Sequence, residues 1–545
     1  MTDAYALVLH SHLPYVRGAG RWPHGEEWIH EAILGTYLPL LITLHDLRAE
    51  RVRYRVTIGL TPTLLEQLAD REINARFLEY VDDQTRRAEL DAWDLASPDA
   101  ERAALAEFYR ASYARLKDAY LVRFSRDIVG AFADLARTGE VEILTSAATH
   151  GYLPLLDDRS VRAQLALGRA ATRRLVGVEP TGIWLPECAY RPGLERALEE
   201  HGFTHFFTDA DLLRGREVTS SPRRSGARWP TRSGGAIATD EPPPVVRAGN
   251  VGGVGAAEAA DVLRPYLVAD STVAAIARHP DVSGQVWSAA TGYPGDPAYR
   301  EFHRKDDRSG LRYWSVTATT VELGEKAPYR VADAAGRVRI HAAHFAERVR
   351  QTLDAHRVAT GRAGLLTTTF DSELFGHWWF EGVDWLGLVL RELGSLTTTA
   401  AEWLAAEPPR ERMPLAEGSW GKQNDHSTWR NSDTEWMWDE IATAATAAGM
   451  LAADPPPDGL RARAADQALR ELLLLESSDW PFLVTTGQAA DYGAERFRSH
   501  ALRLHRSVEL ARQGGVADDS ELRSLERADA IFPDARIAMF GRGSG

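Results

Sequence analysis

Short apolar or β-branched runs recur along the chain, and each ends in polar residues. The clearest runs are YALVLHSH, VEILTSAATHGY, TGIWLPECAY, FTHFFTDADLL and GLLTTTFDSE. The polar side chains at or near their ends are His10, His12, His150, Glu187, Asp209 and Asp371. Amphipathic stretches with helical spacing separate these runs, and this alternation predicts an α/β protein with a parallel sheet. Chemically active residues at the carboxyl ends of several strands favour a TIM-like barrel over an open sheet with a crevice, which shares the pattern.

The helical pattern divides the chain into two parts. In TPTLLEQLADREINARFLEYV we predict one helix with Thr61 as N-cap and Pro62 at its first position. After about residue 400 the strand signals fade, and two amphipathic segments joined by DPPPDG predict helices. We therefore expect a barrel over residues 1–400 and a mostly helical domain over 401–545 that contributes to the site. The segment Arg214–Asp261 is rich in Gly and Pro, lacks Tyr and Phe, and is predicted to be a mobile loop.

Charge and cysteine content restrict the partners. The 545 residues include 63 Lys or Arg and 77 Asp or Glu, and the formal net charge of −14 argues against a nucleic-acid partner. Cys188 is the single cysteine, which excludes an intrachain disulfide and suits a reducing compartment. The first residues, MTDAYALVLHSHLPY, do not read as a secretion signal, and no stretch has the length of a membrane span. The sequence predicts a cytoplasmic protein with no membrane partner.

Tryptophans and two carboxylates indicate a carbohydrate ligand. Eight of the 16 tryptophans lie between Trp378 and Trp438, and flat indoles suit sugar rings as well as cores. Glu187 and Asp371 each follow a β-like run and have aromatic neighbours. Retaining glycoside cleavage needs one carboxylate nucleophile and one carboxylic acid, about 5–5.5 Å apart. The alternative is that each carboxylate caps the next helix. If the pair is catalytic, we expect Trp378 and Trp379 to form part of a sugar-binding wall.

A second arrangement is compatible with a metal site. His10 and His12 lie two residues apart on a predicted strand, so their side chains share one face. A metal site would need further ligands, which His150 and Asp209 could supply. The more favoured interpretation is that these histidines make hydrogen bonds in the core or to a substrate.

Taken in order, the motifs resemble a known family. HSHLPY, GEVEILTSAATHGYLPLL, IWLPECAYRPG, FDSELFGHWWFEG and GSWG are similar to the characteristic regions of glycoside hydrolase family 57. GRWPHGEEWIHEAILGTYLPLL, QVWSAATGYPGDPAYREF and SSDWPFLVTTGQAADY resemble its 1,4-α-glucan branching enzymes. The resemblance implies a distorted (β/α)7 barrel, a retaining mechanism with no catalytic metal or other cofactor, and an α-1,4-glucan partner such as amylose or a glycogen-like polysaccharide.

The resemblance also implies residue roles. Glu187 matches the nucleophile and Asp371 the general acid/base of a cycle that cleaves α-1,4 linkages and forms α-1,6 branches through a covalent intermediate. The positions that match glucan-binding residues are His10, His12, Trp22, Trp28, His150, Arg278, Trp287, Gly295, Trp420, Trp429, Asp479 and Gln488. The alternatives are α-amylase-like hydrolysis or 4-α-glucanotransfer on the same scaffold, a metal-dependent hydrolase or deacetylase, and a non-catalytic glucan-binding protein.

One region departs from the family pattern. The resemblance implies a loop after the fifth strand whose tyrosine closes over the site. The matching region lies within Arg214–Asp261, which has no tyrosine and a lone Trp229. Because a less closed site admits water, this departure predicts that hydrolysis competes with branching. The sequence leaves the donor chain length open, and also the choice between monomer and dimer.

Overall fold

The computed structural model describes most of the chain. The described residues are 2–21, 24–213, 260–288, 291–318, 320–457, 459–515 and 518–541. The predicted mobile loop, with Trp229, lies outside them except for its last two positions, and Trp22 also lies outside them.

Within this part of the chain, strands form one mixed sheet that curls into a barrel. The strands are β1 (Ala4–Ser11), β2 (Val56–Leu60), β3 (Val141–Ser146), β4 (Gly182–Trp184), β5 (His205–Thr208), β6 (Tyr266–Val268), β7 (Ala274–Ala277), β8 (Leu365–Asp371) and β9 (Arg412–Met413). Their order is β8-β1-β2-β3-β4-β5-β7-β6-β9, and every neighbouring pair is parallel except β6 with β7. The N–H of His279, just after β7, donates to the carbonyl of Thr367 in β8 at 2.7 Å. Seven parallel strands thus enclose the interior, and the predicted (β/α)7 barrel is confirmed.

Helices surround the sheet and form most of the carboxyl-terminal region. They are α1 (Glu26–Ala32), α2 (Leu38–Ala49), α3 (Pro62–Ala69), α4 (Arg71–Asp94), α5 (Ala100–Asp118), α6 (Ile128–Arg137), α7 (Asp158–Val176), α8 (Leu194–Glu200), α9 (Ala210–Leu213), α10 (Pro280–Trp287), α11 (Val331–Thr360), α12 (Gly382–Leu393), α13 (Ala400–Ala406), α14 (Glu435–Ala453), α15 (Gly459–Leu475), α16 (Asp479–Thr486), α17 (Ala490–Gln513), α18 (Asp519–Ala528) and α19 (Ala538–Gly541). None of these described helices combines the length and apolar character needed to cross a bilayer.

The predicted helix after β2 is two helices. Thr61 is the N-cap, as expected, and its hydroxyl accepts from the N–H of Leu64 at 3.4 Å, with Pro62 at the first helical position. The chain leaves the helical conformation at Asp70, whose backbone is extended. The Asp70 carboxylate accepts from the N–H groups of Glu72 and Ile73, so it caps a new helix. Apolar periodicity continues across the break, which is why the pattern predicted a single helix.

Alternation along β1 brings His10 to the barrel interior. Ala4, Ala6 and Val8 pack in the small interior cluster with residues of the other strands, whereas the residues between them pack outwards. His10 continues the inward series at the carboxyl end of β1, where it pairs in register with Asp371 of β8. The predicted placement of polar residues at the carboxyl ends of parallel strands is therefore observed here.

Candidate active site

Glu187 follows β4 on a turn with a backbone conformation that few residues adopt. It lies in the 3₁₀ turn Pro186–Cys188 with φ 62° and ψ 22°, in the left-handed region that disfavours a side chain. The indole N–H of Trp420 donates to its Oε2 at 2.8 Å, and the hydroxyl of Ser478 donates to its Oε1 at 3.2 Å. The backbone thus directs the carboxylate to two donors from the carboxyl-terminal half of the chain.

Burial controls the ionisation of Glu187. Its side chain is 14% exposed, and loss of solvent raises its pKa from 4.5 to about 7. The hydrogen bond from Trp420 lowers the pKa, the charge of Asp479 raises it, and His12 and Ser478 lower it. The carboxyl group therefore exchanges its proton near neutral pH, as a group with a catalytic role commonly does.

Asp371 ends β8 close to a second carboxylate. Burial raises the pKa of Asp371 well above its ordinary value, the charges of Glu373 and Glu187 raise it further, and Arg278 opposes them. Burial also raises the pKa of Glu373 to about 7. The carboxylate of Glu373 accepts a hydrogen bond from the hydroxyl of Tyr37. These influences favour the protonated form of Asp371, which an acid that donates a proton requires.

Two buried histidines stay neutral beside the carboxylates. The Nε2 atoms of His10 and His150 lie 3.2 Å apart, and His10 stacks on Trp184 with ring centroids 4.5 Å apart. Burial lowers the pKa of both imidazoles well below the ordinary value. Nδ1 of His150 lies 2.9 Å from the hydroxyl of Ser478 and 3.8 Å from Oε1 of Glu187. His150 therefore helps to orient the serine that contacts Glu187.

His12 differs from its neighbours because it has an acidic partner. Its Nε2 lies 3.1 Å from Oδ1 of Asp479, and its Nδ1 lies 3.0 Å from the hydroxyl of Thr61. Burial by itself lowers the pKa of His12, but the charge and hydrogen bond of Asp479, with further carboxylates, raise it overall. The His12 ring also stacks on His150 with centroids 3.8 Å apart. The barrel and the carboxyl-terminal helices are thus joined by an ion pair at the site.

An arginine and two indoles border the same region. Arg278 pairs with Asp209, with Nη2 to Oδ2 at 2.6 Å, and its guanidinium lies 5.9 Å from the ring centroid of Trp420. Trp287 lies edge-on to Trp420 at 6.0 Å, and its indole N–H donates to the carbonyl of Thr369 at 2.9 Å. Both indoles are partly exposed, so each offers a surface on which a sugar ring can stack.

Three other predicted glucan-binding residues lie on other elements of the fold. Trp28 packs edge-on against Tyr492 at 5.3 Å. Gly295 ends a short 3₁₀ turn and lines a surface groove. Gln488 is exposed between α16 and α17. Trp22 lies outside the described residues, so its predicted role is a statement about the sequence alone.

Trp429 is buried and packs against the loop that carries Trp420. It is 1% exposed and stacks on Tyr152 with ring centroids 4.4 Å apart. A Cβ atom on Gly421 would lie 2.7 Å from its indole, so the ring packs directly under the residue after Trp420. In this conformation Trp429 holds the loop that carries Trp420 and has almost no surface for a ligand.

Of the two indoles that follow β8, Trp379 does not form part of the predicted wall. Trp379 is 2% exposed and packs against Tyr299 and Trp385, so the expectation that it contacts sugar is wrong. Trp378 is partly exposed and packs on Phe302 at 4.2 Å. The chain turns sharply after β8, which directs one of two adjacent indoles into the core.

The site does not favour the metal-dependent alternative. Three of the four ring nitrogens of His10 and His12 face another histidine, a threonine hydroxyl and a carboxylate, and Nδ1 of His10 is buried without a hydrogen-bond partner. Asp209 pairs with arginine. Within the described part of the chain, the group whose donor atoms lie close enough to share an ion is Glu471, His500 and Asp529, among the carboxyl-terminal helices.

Three residues of the site were missed by sequence reasoning. Glu373 lies two positions after Asp371 in a quoted motif, so its spacing was an available signal. Ser478 directly precedes Asp479 and was also within a quoted motif. Tyr37 also lies within a quoted stretch, GRWPHGEEWIHEAILGTYLPLL. No local pattern indicated its contact with Glu373, because the two positions are 336 residues apart.

Comparisons with known proteins agree with this arrangement. The family model "Glycosyl hydrolase family 57" matches residues 6–415, and "1,4-alpha-glucan branching enzyme, C-terminal" matches residues 440–540. The chain is 41% identical to 1,4-alpha-glucan branching enzyme TK1436 of Thermococcus kodakarensis, over 98% of this chain and 78% of that protein.

Solved structures are similar over the whole chain. The crystal structure of TK1436 matches with a TM-score of 0.87 at 38% identity, covering 100% of this chain and 97% of that one. A GH57-type branching enzyme from Pyrococcus horikoshii matches at 0.86 and 35%, covering 100% and 98%. The alpha-amylase AmyC from Thermotoga maritima matches at 0.83 and 27%, covering 100% of both chains. The chain therefore belongs to glycosyl hydrolase family 57 and is of the 1,4-alpha-glucan branching enzyme type.

Proposed function

We propose that this protein is a retaining α-glucan transglycosylase that cleaves α-1,4 linkages and forms α-1,6 branches, as in glycogen-type polysaccharide synthesis in the cytoplasm. Glu187 is the nucleophile and Asp371 the general acid/base. Its substrate is an α-1,4-glucan such as amylose or a glycogen-like polymer.

The observation that carries this proposal is the different surroundings of two carboxyl groups whose pKa values are both raised by burial. Two hydrogen-bond donors contact the carboxylate of Glu187, which favours the anion that attacks. Burial and the nearby negative charges keep the proton on Asp371. Retaining cleavage needs this combination of an anion and an acid at one site.

The reaction proceeds in two balanced steps. First, Glu187 attacks C1 of the donor glucose and forms a glycosyl ester while Asp371 transfers its proton to the departing 4-oxygen. Then Asp371, now a carboxylate, removes the proton from a 6-hydroxyl of an acceptor chain. That oxygen attacks C1, forms the α-1,6 bond and releases Glu187 as a carboxylate.

The carboxyl-terminal region contributes to the glucan site in this proposal. We divide the chain into a catalytic barrel over residues 1–400 and a mostly helical domain over 401–545. Support comes from Trp420 and Ser478, which contact Glu187, and from Asp479, which pairs with a barrel histidine. The remaining predicted glucan-binding residues, including Trp28, Gly295 and Gln488, are proposed to contact more distant sugars of the chain.

Hydrolysis is the second candidate outcome at this site, because water can replace the acceptor hydroxyl in the second step. The similarity to an alpha-amylase over the whole chain supports hydrolysis as the alternative to branching. The two activities differ in their products: branching creates α-1,6 points without a net gain of reducing ends, and hydrolysis creates reducing ends only.

Linear amylose separates these outcomes. The protein and its Glu187→Gln variant are incubated with amylose, and reducing ends are counted before debranching with isoamylase. We expect short chains that appear only after debranching and that are absent with the variant. Reducing ends that rise without such chains would replace branching by hydrolysis.

Azide rescue tests the two residue roles separately. Glu187→Ala and Asp371→Ala are each given α-maltotriosyl fluoride and sodium azide. Azide attacks the substrate directly in the nucleophile variant and gives a β-azide, whereas in the acid/base variant it attacks the glycosyl-enzyme and gives an α-azide. The same anomer from both variants would contradict the assignment.

A further inference from the structure

A π-helical turn between α1 and α2 fastens the segment that follows β8. This turn, Ile33–Tyr37, is a geometry that often occurs at functional sites. The hydroxyl of Thr36 donates to the carbonyl of Phe375 at 2.9 Å. Gly376 has φ 92°, and a Cβ atom there would lie 1.9 Å from the carbonyl oxygen of Gly35. The two segments are therefore in direct backbone contact, with no room for a side chain between them.

The last residue of the π-helical turn reaches Glu373. The hydroxyl of Tyr37, which is fully buried, donates to the Glu373 carboxylate. Burial, together with the charge of Glu373, raises the pKa of Tyr37 well above its ordinary value, so the phenol stays a donor at any working pH. Glu373 is 8% exposed, and its carbonyl accepts from the N–H of Trp378 at 3.1 Å. Its main chain and carboxylate are thus both fixed, two residues after Asp371.

We propose that Glu373, held by Tyr37, is a positioning residue whose carboxylate keeps the proton on Asp371 until the donor chain departs. The proposal rests on the acid/base role of Asp371 given above. The two chemical steps above do not use the buried carboxylate of Glu373, and the proposal gives it a role. The proposal also explains why the hydroxyl of Tyr37, which keeps its proton, donates to that carboxylate.

The charges around Asp371 and Glu373 determine whether Glu373 raises or lowers the pKa of Asp371. The negative charges of Glu373, two residues along the chain, and of Glu187 favour the protonated form of Asp371, while the charge of Arg278 favours its anion. Glu373 itself is stabilised as an anion by Tyr37 and by the charge of His12. Glu373 carries its negative charge above about pH 7. It therefore raises the pKa of Asp371 most strongly at alkaline pH.

A purely structural role makes a different prediction. Glutamine has the shape of glutamate and can still accept from the Tyr37 hydroxyl, so Glu373→Gln would preserve the turn. If Glu373 only holds the turn, the pH dependence of the reaction stays unchanged in this variant. If Glu373 acts on Asp371, removing the charge of Glu373 lowers the pKa of Asp371. The alkaline limb of the kcat/KM profile then moves to lower pH.

The test measures kcat/KM against pH for the wild type and Glu373→Gln with two donors. Amylose needs an acid for cleavage, whereas α-maltotriosyl fluoride has a leaving group that departs without a proton. With amylose we expect the alkaline limb of the variant to move to lower pH by about 1 unit. With the fluoride we expect no such shift. An unmoved limb with amylose overturns the proposal.

Two tyrosine variants complete the design. Tyr37→Phe removes the donor, so Glu373 holds its charge less well, and the amylose limb should shift in the same direction as in Glu373→Gln. Tyr54→Phe is the matched control, because its buried hydroxyl donates to the carbonyl of Leu44 at 2.8 Å, away from the site. A shift of equal size in the control would also overturn the proposal.

Failure of the underlying acid/base assignment has a separate signature. If the wild-type alkaline limb is equally present with amylose and with the fluoride, it does not belong to Asp371. Azide rescue of Asp371→Ala would then also fail to give the α-azide. Both results reject the proposed function, whereas an unmoved limb in Glu373→Gln with normal azide rescue rejects only the role of Glu373.

Discussion

Replacing Glu187 by glutamine should stabilise the folded protein, and only at alkaline pH. Glu187 is a buried carboxyl whose pKa is raised by burial from 4.5 to about 7. A group whose pKa is higher in the folded state favours folding below the unfolded value and opposes it as pH rises through the folded value. At pH 8 the folded wild type therefore carries a costly charge that Glu187→Gln removes, and at pH 5 both folded proteins are neutral at this position.

The size of the effect follows from the pKa difference. Each pKa unit corresponds to about 1.4 kcal/mol, so the charge on Glu187 costs about 3 kcal/mol at pH 8. A chain of 545 residues has an unfolding entropy of about 1.1 kcal mol⁻¹ K⁻¹. Glu187→Gln should therefore raise Tm by about 2–3 °C at pH 8 and leave it nearly unchanged at pH 5.

Differential scanning calorimetry of both proteins at pH 5 and pH 8 tests this expectation. Glu89→Gln serves as the control, because Glu89 is exposed on α4 and its substitution should not produce a pH-dependent difference. Equal Tm values for the wild type and Glu187→Gln at pH 8 would refute the reasoning, and so would a gain that is larger at pH 5. A stabilised but inactive variant would show that the site retains a charge at the expense of stability.

Three further predictions follow from the same geometry. The acid limb of the wild-type kcat/KM profile should fall near pH 7, because Glu187, as the proposed nucleophile, must lose its proton before it attacks; a limb below pH 5 contradicts its raised pKa. Trp420→Phe removes the N–H donor to Glu187, so this limb should move to higher pH by about 1 unit; an unmoved limb shows that the bond has no effect on ionisation. Gly376→Ala should cost about 3 kcal/mol or more, because its Cβ meets the carbonyl of Gly35 at 1.9 Å. Gly361→Ala, with φ 68° and open space, should cost about 1 kcal/mol; calorimetry that finds equal losses rejects the close contact.

Much of the fold could be predicted because its signals are local. Apolar runs that end in polar residues located β1, β3, β4, β5 and β8, and the motif around Thr61 located a helix start. A single side chain ended that helix at Asp70, and periodicity alone did not reveal it. The carboxyl-terminal helices were predicted for the same local reason, since amphipathic spacing repeats within each segment.

The site could be predicted only in part, because its contacts are distant along the chain. Glu187 and Asp371 were predicted as a candidate pair from their strand-end positions and aromatic neighbours, and the family resemblance supplied their proposed roles. Their partners were not, since Trp420 lies 233 residues from Glu187 and Ser478 lies 291 residues away. The predicted sugar-binding wall was wrong at Trp379, because a turn after β8 directs that indole inward.

The sequence by itself determined which residues end the strands of a parallel barrel and which of them are candidates for glycoside cleavage. The tertiary structure decided which residues set their ionisation. Burial, the donors to Glu187 and the charge of Glu373 beside Asp371 depend on how β4, β8, the π-helical turn and α16 meet. A pKa responds to every charge and dipole within a few ångströms, and in this fold those groups come from segments hundreds of residues apart.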